Sequence, residues 1–69
     1  MKVSARNSFK GTVKKIIPRA INTEVLLEIS PGVEVTAVIT KTSVENMNLM
    51  IGQSAYAMIK SSDVIVAVD

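Results

Sequence analysis

Hydrophobic and polar residues alternate most cleanly over residues 33–40, where Val33, Val35, Ala37 and Ile39 take one parity and Glu34, Thr36 and Thr40 the other. A period of two puts those apolar side chains on a single face, so this segment is predicted to be a half-buried strand. Pro31-Gly32 precedes it and favours a tight turn, which makes residues 24–29 the other arm of a hairpin. Residues 3–17 read as one long strand with Gly11 at a bend or bulge, since a glycine inside a strand pattern often marks either. In Thr42-Ser43-Val44-Glu45 a hydroxyl precedes Glu by three positions, the capping-box spacing, and a short helix over residues 43–48 is expected. Gly52 ends the apolar run Leu49-Met50-Ile51, and residues 55–60 and 64–68 follow as two further strands separated by Ser61-Ser62-Asp63. The order is that of an all-β chain with one short helix, and it fits a single domain over residues 1–69: a five-stranded, OB-like Greek-key barrel.

Two stretches break the alternation: Val25-Leu26-Leu27, and the unbroken apolar run at residues 64–68. Strands that are apolar on both faces want cover on both, and in a small barrel one face of every strand meets water. Isolated surface valines are ordinary, which is the competing explanation; the reading favoured here is that another subunit lies against the outer face. Size argues the same way. The chain has 69 residues, of which 48% are hydrophobic and 3% aromatic, with a mean hydropathy of +0.36. A lone core of this size supplies only about 3–5 kcal/mol, and without cysteine no disulfide supplements it. Association with further copies, giving a homo-oligomer, is the stabiliser left.

Charge and chemistry narrow the function. Eight basic residues against six acidic ones give +2, which favours small anions but is too sparse for a duplex-binding stripe. Phe9 and Tyr56 are the only aromatics, too few for single-strand stacking, so no nucleic-acid partner is expected. With no His and no Cys, thiolate nucleophiles, Ser-His arrangements and zinc sites are excluded. Glu24, Glu28, Glu34 and Glu45 read as solvated surface charges, and no enzyme is expected. The apolar runs at 55–59 and 64–68 fall far short of the ~20 residues that span a bilayer, so no membrane partner is expected. The polar start Ser4-Ala5-Arg6-Asn7 does not look like a secretory leader, so a cytoplasmic location is expected.

Three segments together carry a resemblance. Ser4-Ala5-Arg6-Asn7 with Phe9 and Gly11-Thr12-Val13, then Ile39-Thr40-Lys41-Thr42-Ser43-Val44, then Ile59-Lys60-Ser61-Ser62-Asp63-Val64 resemble the molybdenum-pterin-binding (Mop) domain family over essentially the whole chain. At this length the likeness is to its free-standing members, the molbindins. The resemblance implies a homohexamer, a trimer of dimers, that binds molybdate or tungstate between subunits for molybdenum storage and homeostasis. It also implies a site in which Ser4, Ala5, Arg6, Lys60 and Ser61 of one subunit meet Thr40 and Ser43 of a neighbour, Ala5 through its backbone alone. A second oxyanion site would lie near Arg19, Ala20 and Ile21, where Pro18-Arg19 stands in place of the Lys-Gly that family members often carry. No organic cofactor is expected, because so few aromatics offer little for a pterin ring to stack on.

Molybdate is a tetrahedral dianion whose oxygens only accept hydrogen bonds, so its ideal site holds donors and no carboxylates. Arg, Lys, Ser, Thr and free backbone N–H groups are those donors, and Ser43 near a helix start would add the positive end of the backbone dipole. Each residue also has a plainer explanation: capping for Thr42 and Ser43, solvation for Arg6 and Lys60, a turn for Ser61-Ser62-Asp63. Magnitudes favour a composite site. A charged hydrogen bond nets about 1.5–3 kcal/mol, while association costs about 4–15 kcal/mol. Micromolar affinity, about 8 kcal/mol net, therefore asks for roughly half a dozen converging donors. The competing functional class is a small OB-type regulatory or nucleic-acid-binding module.

Overall fold

The computed structural model describes residues 2–69. Strands β1 (Asn7–Pro18), β2 (Asn22–Ser30), β3 (Val33–Thr40) and β4 (Ser54–Ile59), with helix α1 (Lys41–Asn46) between the last two, make up the chain, and a 3₁₀ turn at Ser61–Asp63 follows. All strands pair antiparallel in the order β3-β2-β1-β4, a curled sheet open between β3 and β4. The expected fifth strand is absent: residues 64–68 join no ladder, and the chain is a four-stranded half-barrel. Periodicity shows that a segment wants cover but not which surface supplies it, and here the protomer supplies none.

The inner face follows from parity. Val13, Val25, Leu27 and Ala57 are buried, and Ile16, Ile29, Val35, Ile39, Val44, Leu49 and Ala55 pack around them. Val13 and Ile16 are an odd number of positions apart, so a regular strand would place them on opposite faces. A bulge between Val13 and Lys15 switches the parity and turns both inward. Gly11 is not at that bulge. It marks a close approach instead: a Cβ there would stand 2.7 Å from the Glu28 carbonyl oxygen and 2.9 Å from Ile29 Cδ1. Beyond the β1–β4 ladder Val13 bonds both ways to the preceding loop, its N–H to the Gln53 carbonyl at 2.9 Å and its carbonyl to the Gly52 N–H at 2.8 Å. The β2–β3 turn is tight as expected, with Gly32 at φ 81°.

The helix starts earlier than the capping-box reading placed it. Thr40, the last residue of β3, keeps an extended backbone and accepts the Ser43 N–H on its hydroxyl at 3.0 Å. The cap is therefore Thr40, not Thr42, and Glu45 does not close a box. Asn48 at φ 49° ends the helix, and Leu49 N–H returns to the Val44 carbonyl at 3.1 Å, bringing both apolar side chains onto the core.

Candidate oxyanion site

The β1–β4 register decides what lies beside what. Asn7 pairs with Ile59 at the end of the ladder, so Arg6 and Lys60, the next residue on each strand, are neighbours. The Asn7 side-chain amide donates to the Ile59 carbonyl at 3.2 Å and ties the two chain segments together at that point. Ser4 and Ala5 lead into Arg6, and Ser61 follows Lys60, at this same end of β1, with Ala5 half-buried and the other four exposed. The ion pairs are Lys14–Glu28 at 3.7 Å and Arg19–Glu24 at 3.3 Å. Among the described residues, then, neither Arg6 nor Lys60 is held by an acid or a side-chain hydrogen bond, and both remain full-strength donors. Asp63 stands on the same 3₁₀ turn as Ser61, its N–H bonded to the Lys60 carbonyl at 2.9 Å.

Thr40 and Ser43 are elsewhere. Thr40 pairs with Asn22, and Pro18 with Thr23, so both hydroxyl residues belong to the opposite end of β1. The twelve residues of β1 correspond to roughly 36 Å of strand contour at ~3.3 Å per residue, whereas donors to one oxyanion must each come within about 3 Å of it. The structure brings the Arg6 and Lys60 group together and keeps the Thr40 and Ser43 pair apart from it. Within that pair the Thr40 hydroxyl donates to the Ser43 hydroxyl at 2.8 Å while accepting the Ser43 N–H. Ser43 Oγ therefore accepts one hydrogen bond and keeps its own proton to donate outward. A six-residue helix whose first free N–H is already capped adds little dipole, so Ser43 contributes chiefly through its hydroxyl.

Arg19, Ala20 and Ile21 form the β1–β2 turn, closed by Arg19 N–H to the Asn22 carbonyl at 2.8 Å, and lie at the Thr40 end. Arg19 is paired with Glu24, an acceptor that an incoming anion would have to displace or tolerate. A cavity of about 240 Å³ beside this end is floored by Ile16, Pro18, Thr23 and Val44 and edged by Lys41 and Glu45. Sequence reasoning missed two positions: Asn7, which fastens Arg6 beside Lys60, and Thr40 as the cap that orients Ser43. Asn7 does stand in the Ser-Ala-Arg-Asn quartet, but its role depends on a partner 52 positions away.

A family model described as the TOBE domain matches residues 3–66. A protein of Haemophilus influenzae named "Probable molybdenum-pterin-binding protein" is 38% identical to this chain over 69 residues, covering all of both chains. The chain belongs to the TOBE family, in its Mop branch. The Mop domain superposes on the molybdate-binding protein of Sporomusa ovata with a TM-score of 0.90 at 31% identity, covering 99% of this chain and 100% of the other. It also superposes on ModG, a cytoplasmic molybdate-binding protein crystallised with molybdate, at TM-score 0.88 and 46% identity, covering 94% of this chain and 46% of that one. The Mop domain is 41% identical to the molybdenum transport protein ModE of Azotobacter vinelandii, of whose length it spans about a quarter, 26%.

Proposed function

We propose that this Mop domain binds molybdate or tungstate in pockets formed where copies of the chain meet, and serves as a cytoplasmic store that buffers molybdenum. No catalysis is assigned to it. The supporting observation is the division of donors along β1: Arg6 and Lys60 with Ser4, Ala5 and Ser61 at one end, Thr40 and Ser43 at the other. The Arg6 and Lys60 group is exposed, so its donors compete with water on an open surface, and a second chain that sets the Thr40 and Ser43 hydroxyls against it would add donors from the other side and enclose the anion. The related proteins support the ligand, since their names and bound molybdate describe oxyanion binding. Family resemblance suggests a hexamer built as a trimer of dimers, with Arg19, Ala20 and Ile21 as the second candidate site; the Arg19–Glu24 pair makes that site the poorer anion receptor.

Native mass spectrometry with and without molybdate tests the reading. A hexamer carrying discrete oxyanion adducts is the expected result. A monomer at micromolar concentration that takes up no anion would overturn both the assembly and the composite site.

A further inference from the structure

We propose that Lys10 is a steering residue for the oxyanion: its charge on the outer face of β1 draws the anion towards Arg6 and Lys60 and speeds capture, without holding the anion once bound. The inference rests on the oxyanion reading of that end of β1 and adds the route by which the ligand arrives.

Strand parity fixes the face on which Lys10 stands. Val13 is buried, and a Cβ at Gly11 would meet the Ile29 side chain of the core layer, so the odd positions of this stretch face inward. Ser8, Lys10 and Thr12 therefore face outward. The bulge that switches the parity comes later, between Val13 and Lys15. Lys10 is exposed and stands opposite the exposed Tyr56 on β4. Its neighbours on that face are Ser8 and Thr12 along the strand and Ser54, Tyr56 and Met58 across it, none of them acidic. Among the described residues Lys10 has no ion pair and no side-chain hydrogen bond.

The charge along this face is uneven. Arg6, Lys60 and Lys10 gather towards one end of β1, and Asp63, on the turn after Lys60, is the acid nearest to them in the chain. Three cations against one carboxylate leave that end positive. Further along, Lys14 is held by Glu28 at 3.7 Å, and Glu28 pairs across the sheet with Glu34, so the middle of the face is neutral to negative. A dianion diffusing over the sheet is thereby drawn towards the Arg6 end.

Distance decides what Lys10 contributes. It stands four residues from Arg6, roughly 13 Å of strand contour at ~3.3 Å per residue, whereas a hydrogen-bond donor must come within about 3 Å of its acceptor. What Lys10 offers an anion held by Arg6 and Lys60 is a Coulomb field. A unit charge ~13 Å from a dianion in water changes capture about threefold without salt and about twofold at 0.01 M, where the Debye length is ~30 Å. At 0.15 M the length falls to ~8 Å and the effect nearly vanishes. Such a field acts alike on the approaching and the seated anion, so it alters arrival and not departure.

The test follows molybdate binding to the full chain by amide line shapes in an NMR titration, which yield Kd and koff together and hence kon. At 0.01 M salt Lys10→Gln should slow kon about twofold and Lys10→Glu about fourfold, with koff within about 1.5-fold of the parent. At 0.15 M both variants should come within about 1.5-fold of the parent, and Lys10→Arg should match the parent at either salt. An unchanged kon for Lys10→Glu at the lower salt would overturn the steering. So would a loss that appears in koff and persists at the higher salt, which is the signature of direct contact. A parent chain that takes up no molybdate would refute the oxyanion reading and the steering with it, whereas measurable binding with an indifferent kon would refute the steering alone.

Discussion

Replacing Arg6 by alanine separates a composite pocket from a surface residue that merely keeps the chain soluble. In the protomer Arg6 is exposed and, among the described residues, has no acid partner, so its loss should leave strand pairing and assembly unchanged. Were it to remain solvated when the anion binds, the interaction would be worth at most about 1 kcal/mol, a change of about fivefold in Kd. Enclosed between copies and donating in parallel to two oxygens, it should contribute at least about 3 kcal/mol, or roughly 150-fold. Isothermal titration with molybdate, run beside native mass spectrometry on the same sample, distinguishes these values. Arg6→Lys should recover part of the loss, because it keeps the charge and gives up the planar fork. An Arg6→Ala protein that assembles normally and binds within tenfold of the parent would refute the composite pocket.

Ser43→Ala should weaken molybdate binding by about fivefold while leaving thermal stability nearly unchanged, since the Thr40 cap on its backbone N–H survives; a large fall in Tm would show the hydroxyl to be structural. Thr40→Ala removes that cap and should cost about 1 kcal/mol in urea unfolding, with Thr40→Ser restoring it. Gly11→Ala forces a Cβ to within 2.7 Å of the Glu28 carbonyl and should destabilise the β1–β2 ladder by about 1–3 kcal/mol, read by the same unfolding. Arg19→Ala removes an exposed pair with Glu24 and should change stability by less than about 1 kcal/mol. In competition calorimetry tungstate should match molybdate, which it resembles in shape and charge, and sulfate should bind more weakly because it is smaller; sulfate binding equal to molybdate would contradict selection by size.

What the chain reveals before folding depends on how local the cause is. Strand β3 is legible because its alternation is complete, and the β2–β3 turn because Pro31-Gly32 allows little else. The helix start is misread by two residues because Thr40 and Thr42 are both hydroxyls at plausible spacing; the end of β3 decides between them, and that boundary is set by pairing with β2. Gly11 looks like a bulge, yet the bulge falls after Val13, where parity must switch so that Ile16 can face the core. The neighbourhood of Arg6 and Lys60 is invisible to periodicity, since it arises from a ladder joining segments 52 positions apart at Asn7 and Ile59. The apolar run at residues 64–68 reads as a covered fifth strand, whereas in the protomer it is exposed and joins no ladder, because periodicity carries no information about which surface would cover it.

The length of β1 has a consequence for dosage. With complementary donors at the two ends of a twelve-residue strand, a solitary chain under the proposed reading is nearly blind to its cargo, and holding capacity climbs more steeply than in simple proportion to chain abundance. Thinning the population by proteolysis or slower synthesis would then discharge ions by mass action, with no gate or energy source required.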